Sequence, residues 1–515
     1  MKPAVSYTRL FWWTLGAIVL IRVLYVLTFP FDLSGDEAYY WDWGRQLSWG
    51  YFSKPPMIAW LMALAGWFSQ DTDSGIRLMA VALGTGSLLF IWALMRKMWD
   101  ERAAFWAILL TLASPGNVAV NLILTIDAPL MFFWSGALFS FYMQIHEKRH
   151  RITWTVVTTL MLGFGLLSKQ MTFAFYPLAL VYLISQSDLR SNLKRLSLWL
   201  SWAVSLAFLV PTILWNAQND WITIKHTQHH FEGKAITFMD ILSRVGEFFG
   251  SQLGVLSPVT GVAIAILVVG LLIHFRKWSP KVAYLAIFSV PGLLFVSLML
   301  LRQSINPNWP AVFYVGAVML LGAAVSGAEG LPKNWSKKWP GWRYPSVICG
   351  AIFAVLIMVL PHILDWTKQT GAKWDPVVRL EGWYELGKKV QKIREMHSHD
   401  LEEPFILATG HRYTTSHLAF YLVDQPKVYH WPENPGTIES QYELWGFPEE
   451  LAEKDAFIVV AGQNEELPES LYPMFESIEP LEEIQITRSA KRIRYYSLYI
   501  GKSFKLTSST PASHP

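Results

Sequence analysis

Cysteine and charge are both scarce in this sequence. The one cysteine among 515 residues, Cys349, excludes an intrachain disulfide and any cysteine-based metal site, and says little about redox compartment. Charged residues make up 16% of the chain, against roughly 25% in soluble globular proteins. The formal net charge is only +4, so where the charges fall tells more than their sum, and no nucleic-acid partner is expected. Polar stretches are also rare before about position 366. What fills that region is apolar sequence in blocks of about 16–23 residues, the length a helix needs to cross hydrocarbon. Beyond it the chain turns polar for about 145 residues, enough to bury a core of its own. The expected organisation is a polytopic membrane body over 1–366 and a soluble domain over 367–515.

Eleven spans are read, near 10–31, 76–96, 103–121, 128–146, 152–168, 170–186, 196–216, 254–275, 282–301, 309–326 and 345–366. The first block follows Lys2 and Arg9; it is long and no small-residue cleavage pattern follows it, so it reads as an uncleaved span rather than a signal peptide. Met57–Phe68 is apolar but too short to cross easily and reads as an interfacial helix. Many of the 26 tryptophans stand at block ends, among them Trp12, Trp13, Trp99, Trp215 and Trp309. Amphipathic rings at the membrane boundary account for them without any catalytic role.

Charge placement orients the chain. Alternate loops carry Arg96, Lys97 and Arg102; Lys148, Arg149 and Arg151; Arg190, Lys194 and Arg195; Arg276, Lys277 and Lys281; and Lys333, Lys337, Lys338 and Arg343. Basic loops stay on the cytoplasmic side. With an odd number of spans, the tail then lies outside. In that tail Phe405–Ala408 and Ala456–Ala461 read as strands, Thr415–Leu422 as a helix, and Ile484–Thr487 with Ile493–Ile500 as a closing hairpin. A small α/β domain without a Gly-rich phosphate loop results. Leu506–Pro515, rich in Ser, Thr and Pro, reads as disordered. The fold class is therefore membrane all-α, with about eleven transmembrane helices and a small C-terminal soluble α/β domain.

The residues that can do chemistry gather on the outward side of this topology. The first outward loop holds Gly35-Asp36-Glu37-Ala38-Tyr39-Tyr40 and then Ser53-Lys54-Pro55-Pro56. Asp127 opens the fourth span, and Lys169, Arg302 and the His226–His230 cluster fall on the same side. A solvated loop with a basic anchor would explain the first group alone. Ionisable residues at membrane depth are costly, however, and usually mark a site. Acids can take a proton from an attacking hydroxyl, and cations can hold a phosphate leaving group. That combination suits transfer from a lipid-linked phosphate. A transporter of lipid-linked sugars, the alternative, would string its charges through the midplane with repeat symmetry, and a non-catalytic scaffold would give the two acids no purpose. Asp71-Thr72-Asp73 mimics the Asp-x-Asp motif of nucleotide-sugar enzymes, but reads as a solvated turn.

At these motifs the chain resembles the bacterial GT-C glycosyltransferases of the protein-mannosyltransferase-like superfamily, whose best-known bacterial branch is the lipid A aminoarabinose transferase. The resemblance rests on Gly35–Tyr40, Lys54-Pro55-Pro56 and Thr125-Ile126-Asp127-Ala128-Pro129, with Leu167-Ser168-Lys169, Asn308-Trp309-Pro310 and Ser440–Trp445. It implies a GT-C fold in the bacterial inner membrane with a periplasmic active site. The implied donor is an undecaprenyl-phosphate-linked sugar, and the implied acceptor a glycolipid such as lipid A or its core, an O-antigen, another glycan or a protein. It further implies a catalytic role for Asp36 and Asp127, phosphate contact for Lys54, and a donor-side place for Tyr40. Glu37, Lys169 and Arg302 are assigned to the donor by position. The aminoarabinose branch has a metal-binding Glu before Lys-Pro-Pro; here that position is Ser53, so no metal or other cofactor is expected, and aminoarabinose itself is disfavoured as the substrate.

Overall fold

The structure is a computed structural model that describes residues 6–229, 237–332, 335–367, 378–397, 401, 404–434, 436–462, 467–489 and 492–506. His230 and residues 507–515, read above as part of a histidine cluster and of a disordered tail, lie outside this set. Contacts divide the chain into two compact units. The first comprises Met1–Thr28, Lys54–Ile58 and Ile76–Val359; the second comprises Phe29–Ser53, Ala59–Gly75 and Leu360–Pro515.

The first unit is helical. Among the described residues six helices are long and apolar enough to cross a membrane: Tyr7–Thr28, Asp73–Met98, Arg151–Ser168, Leu196–Gln218, Pro280–Met299 and Trp339–Leu364. Two bent pairs raise the number to eight. The expected count of eleven also takes in Asp127–His146 and the shorter apolar helices at 170–186 and 309–326. Glu101–Leu112 and Pro115–Leu122 meet at 73°, and Phe238–Leu256 and Pro258–Ile273 at 111°. Each second helix begins with a proline, which has no N–H to continue the preceding helix but suits the first position of a new one. Gln170–Ser185 and Ala311–Ser326 are apolar but shorter. The expected long loop 217–253 instead holds the helix Ile222–His229 and most of Phe238–Leu256.

Aromatic packing fills the interior of this unit. Trp134 sits edge-on to Phe175, Phe288 and Phe313 at centroid distances of 5.5, 6.4 and 5.9 Å. The Tyr284 hydroxyl donates to the Leu138 carbonyl at 2.6 Å, satisfying a buried polar group. Arg22 is buried in the first span and donates to Asn121 Oδ1 at 3.0 Å and Asn117 Oδ1 at 2.7 Å. Gly84 faces Asn121 so closely that any Cβ there would overlap its amide oxygen, so the pairing with Arg22 requires glycine.

The second unit is built on a five-stranded sheet of order β2-β1-β3-β5-β4. Its strands are β1 Phe405–Thr409, β2 Val428–Trp431, β3 Ala456–Ala461, β4 Ser477–Ser489 and β5 Arg492–Lys502. β1 pairs in parallel with both β2 and β3, while β5 runs antiparallel to β3 and β4. The parallel strands β1 and β3 are buried nearly throughout, which is why they read as unbroken apolar runs. The helix Arg412–Tyr421 connects β1 to β2. The first outward segment is itself a helix, Gly35–Gly44, rather than a loop. It begins with a reciprocal cap: Ser34 Oγ accepts from the Glu37 N–H at 3.2 Å, and Glu37 Oε2 accepts from the Ser34 N–H at 2.9 Å. Asp71 and Asp73 are not a solvated pair. Asp71 Oδ1 accepts from Trp41 Nε1 at 2.7 Å, and Asp73 Oδ1 accepts from the Tyr421 hydroxyl. Both acids are spent on holding this unit together.

Candidate functional site

Asp36 occupies the first turn of Gly35–Gly44. Peptide dipoles at a helix start favour a carboxylate there. Oδ1 of Asp36 accepts from the Tyr413 hydroxyl at 3.1 Å and lies 4.0 Å from Arg412 Nη2. Tyr413 and Arg412 open the helix that leaves β1, just past Gly410 and His411. Gly35 makes this approach possible, because a Cβ on it would run into the Tyr413 ring. Burial, reinforced by the Asp36 charge, raises the Tyr413 pKa, so its phenol stays protonated and remains a donor. Burial first, and then the Arg412 charge, lower the pKa of His411.

The other members of the first motif are interior. Tyr40 is buried beside Tyr39 and Trp43, and burial, then Asp36, push its phenol well above the ordinary value. Glu37 is fully buried with its carboxylate engaged at the helix cap. Tyr39 accepts from the Gln441 N–H at 2.6 Å. Asp42 accepts from the Tyr442 hydroxyl at 2.8 Å, and burial raises its pKa. The Ser440–Trp445 motif therefore acts as a brace for the aromatic floor under Asp36.

In the first unit Asp127 begins the helix Asp127–His146. Its Oδ1 receives Lys169 Nζ at 2.8 Å and its Oδ2 receives Asn308 Nδ2 at 2.6 Å. The side chains of Lys169 and Asp127 are 14% and 8% exposed, so this is a nearly buried ion pair with both carboxylate oxygens occupied. Lys169 reaches it from an extended residue between Arg151–Ser168 and the following 3₁₀ turn. Asn308 also lines a largely apolar cavity of about 230 Å³, walled by Leu88, Ile91, Met131, Val255 and Tyr314. Lys54 is half-buried immediately before the helix Met57–Ser69. Arg302 is exposed in the turn before Ala311–Ser326, and its guanidinium has no hydrogen-bond or ion-pair partner among the described residues. His226 lies half-buried in Ile222–His229.

The structure thus joins Asp127 to Lys169 and supplies Asp36 with two partners that sequence reasoning missed, Tyr413 and Arg412. A signal for them existed. Gly410-His411-Arg412-Tyr413 follows directly on β1, and the carboxyl ends of parallel strands are where α/β sheets place ligands. Ser53 offers no carboxylate, and no three His, Cys, Asp or Glu side chains gather among the described residues.

Comparisons with known proteins agree with the motifs. Residues 53–215 match the family model described as dolichyl-phosphate-mannose-protein mannosyltransferase. The lipid A galacturonosyltransferase RgtD of Rhizobium johnstonii is 26% identical over 292 residues, which are 56% of this chain and 60% of that protein. The match thus spans about three fifths of this curated relative. ArnT from Cupriavidus metallidurans in its apo state superposes with a TM-score of 0.62 at 16% identity, over 96% of this chain and 98% of that one. The same protein bound to undecaprenyl phosphate gives 0.59 at 17% identity, over 98% and 99%. The chain is a multi-span membrane protein with a small C-terminal sheet domain; in fold it matches ArnT, and in sequence it is similar to the GT-C glycosyltransferases of the protein-mannosyltransferase-like superfamily.

Proposed function

We propose that this protein is a glycosyltransferase that moves a sugar from undecaprenyl phosphate to an acceptor of the cell envelope. The observation that carries this reading is the arrangement around Asp127. A nearly buried acid, cation and amide stand where Asn308 meets a largely apolar cavity, a setting suited to an isoprenoid segment with a charged end. The likeness to a lipid A galacturonosyltransferase and to a structure bound to undecaprenyl phosphate supports the same choice.

In the proposed reaction an acceptor hydroxyl attacks the anomeric carbon, the bond from that carbon to the phosphate oxygen breaks, and polyprenyl phosphate departs with the electron pair. Asp36 takes the hydroxyl proton or orients the hydroxyl. Lys54, with Arg302 as a second contact, stabilises the charge that grows on the phosphate. Asp127 with Lys169, Glu37 and Tyr40 complete the assignment, and the acceptor is lipid A or its core, O-antigen, another glycan or a protein. Eleven crossings read from the apolar blocks, oriented by the basic loops, give a membrane domain over 1–366 and a periplasmic domain over 367–515. The active face is then periplasmic in the inner membrane. Purified protein in liposomes should transfer labelled sugar from a polyprenyl-phosphate donor to extracted envelope glycolipid. Labelled lipid that crosses the bilayer chemically unchanged would instead make it a transporter.

A further inference from the structure

We propose that Arg412 is the residue that reads an oxyanion on the bound donor, either a carboxylate on the transferred sugar or the phosphate that carries it. The inference rests on the glycosyltransferase reading and goes further in naming a chemical class for the substrate.

The geometry around Arg412 leaves its hydrogen-bonding capacity unspent. Its guanidinium carbon lies 5.2 Å from the centre of the Tyr39 ring and 5.0 Å from that of Tyr413. Contacts of this kind hold a guanidinium through its faces and leave the N–H groups at its edge free to bond. None of those groups makes a hydrogen bond among the described residues, and Nε is buried without a partner. Among the described residues the anion paired with it, Asp36, is 4.0 Å away, beyond hydrogen-bonding distance, and the two side chains are 31% and 45% exposed. A half-exposed pair at that distance is weak and leaves the guanidinium open to another anion.

Arg394 shows what a pairing arginine looks like in the same unit. Its two terminal nitrogens meet the two oxygens of Asp424 at 2.7 and 2.8 Å, the parallel fork that stabilises an Arg–carboxylate pair. Arg412 has a fork of the same kind, held in place and unfilled. Arg379 adds a second positive charge, felt by both His411 and Tyr413. Arg412 and Arg379 thus stand as two cations in the surroundings of Asp36. A neutral sugar gives the open fork of Arg412 no charged partner. A hexuronic acid, or a phosphate, fills the fork and places the sugar against Asp36.

The test uses the full-length protein in liposomes with two donors, polyprenyl-phosphate-linked galacturonic acid and its neutral galactose counterpart, and measures donor affinity and transfer rate. If Arg412 reads the sugar carboxylate, the native protein should prefer the acidic donor by about tenfold or more. Arg412→Met should erase that preference, lowering affinity for the acidic donor by at least tenfold more than affinity for the neutral one. If it reads the phosphate, Arg412→Met should weaken both donors and bare polyprenyl phosphate by a similar factor. Folded Arg412→Met with native affinity and rate for both donors overturns the inference. Should that variant fail to fold, Arg412→Lys, which keeps the charge and loses the fork, decides by the same comparison. A native protein that binds neither donor overturns the glycosyltransferase reading, and this inference with it.

Discussion

The Tyr413 hydroxyl donates to Oδ1 of Asp36 at 3.1 Å, joining the helix after β1 to a residue 377 positions earlier in the chain. A bond to a charged acceptor is worth about 1.5–3 kcal/mol. Tyr413→Phe should therefore slow sugar transfer by about 10- to 100-fold. Because Tyr413 acts through Asp36, donor affinity should stay near the native value, while the melting temperature falls by no more than that one bond is worth. Equal losses in affinity and stability would show that the phenol only holds the fold.

Gly35→Ala should reproduce much of that defect for a different reason. The added methyl group collides with the Tyr413 ring. Overpacking of this kind costs about 1–3 kcal/mol. Combining it with Tyr413→Ala should restore the melting temperature and leave transfer slow. Restored transfer in the double variant would show that Tyr413 is not needed to position Asp36.

The limits of the sequence reading follow from how far apart the partners lie. The apolar blocks showed where helices run; β1 and β3 were legible because buried strands read as continuous apolar runs, and the closing hairpin because Ile484 and Ile486, and Tyr496, Leu498 and Ile500, recur at every second position. Breaks within the blocks were not legible, since Pro115 and Pro258 each begin a new helix inside apolar sequence. The helix over Gly35–Gly44 was missed although Ser34 and Glu37 carry the spacing of a capping box. β2, only four residues long, gave too short a pattern to read. Asp36, Asp127 and Lys169 stood out singly because charge is rare there. No periodicity could reveal that Asp127 also holds Asn308, 181 positions away, or that Arg412 stands beside Asp36.

The Asp127–Lys169 pair should behave as a nearly buried ion pair. Removing one partner leaves an uncompensated charge and should cost about 3–5 kcal/mol. Lys169→Met alone should therefore lower the melting temperature sharply. Asp127→Asn with Lys169→Met should recover most of it, yet remain defective in transfer. Full activity in the folded double variant would reduce the pair to a structural brace.

Acid should weaken the second unit through His430. Burial, with the charges of His411 and Arg412, lowers its pKa to about 4. An unfolded histidine titrates near 6.5. Between those values the unfolded chain binds a proton that the folded chain does not, so stability is full above about 6.5 and declines as pH falls toward 4. The loss for this ring is up to about 3 kcal/mol. His417, lowered in the same direction to about 4 by burial, adds to the slope. Melting temperatures measured from pH 7.5 to 4.5 should fall, and His430→Gln should flatten the decline. An unchanged slope in that variant would contradict the assignment.

The most direct test is single-turnover transfer by folded Asp36→Asn, with donor affinity measured in parallel. The substitution keeps shape and hydrogen-bonding reach while removing the charge that accepts the proton. Turnover should fall by about 10² or more with donor binding preserved. Native single-turnover rates in the folded variant would contradict the account.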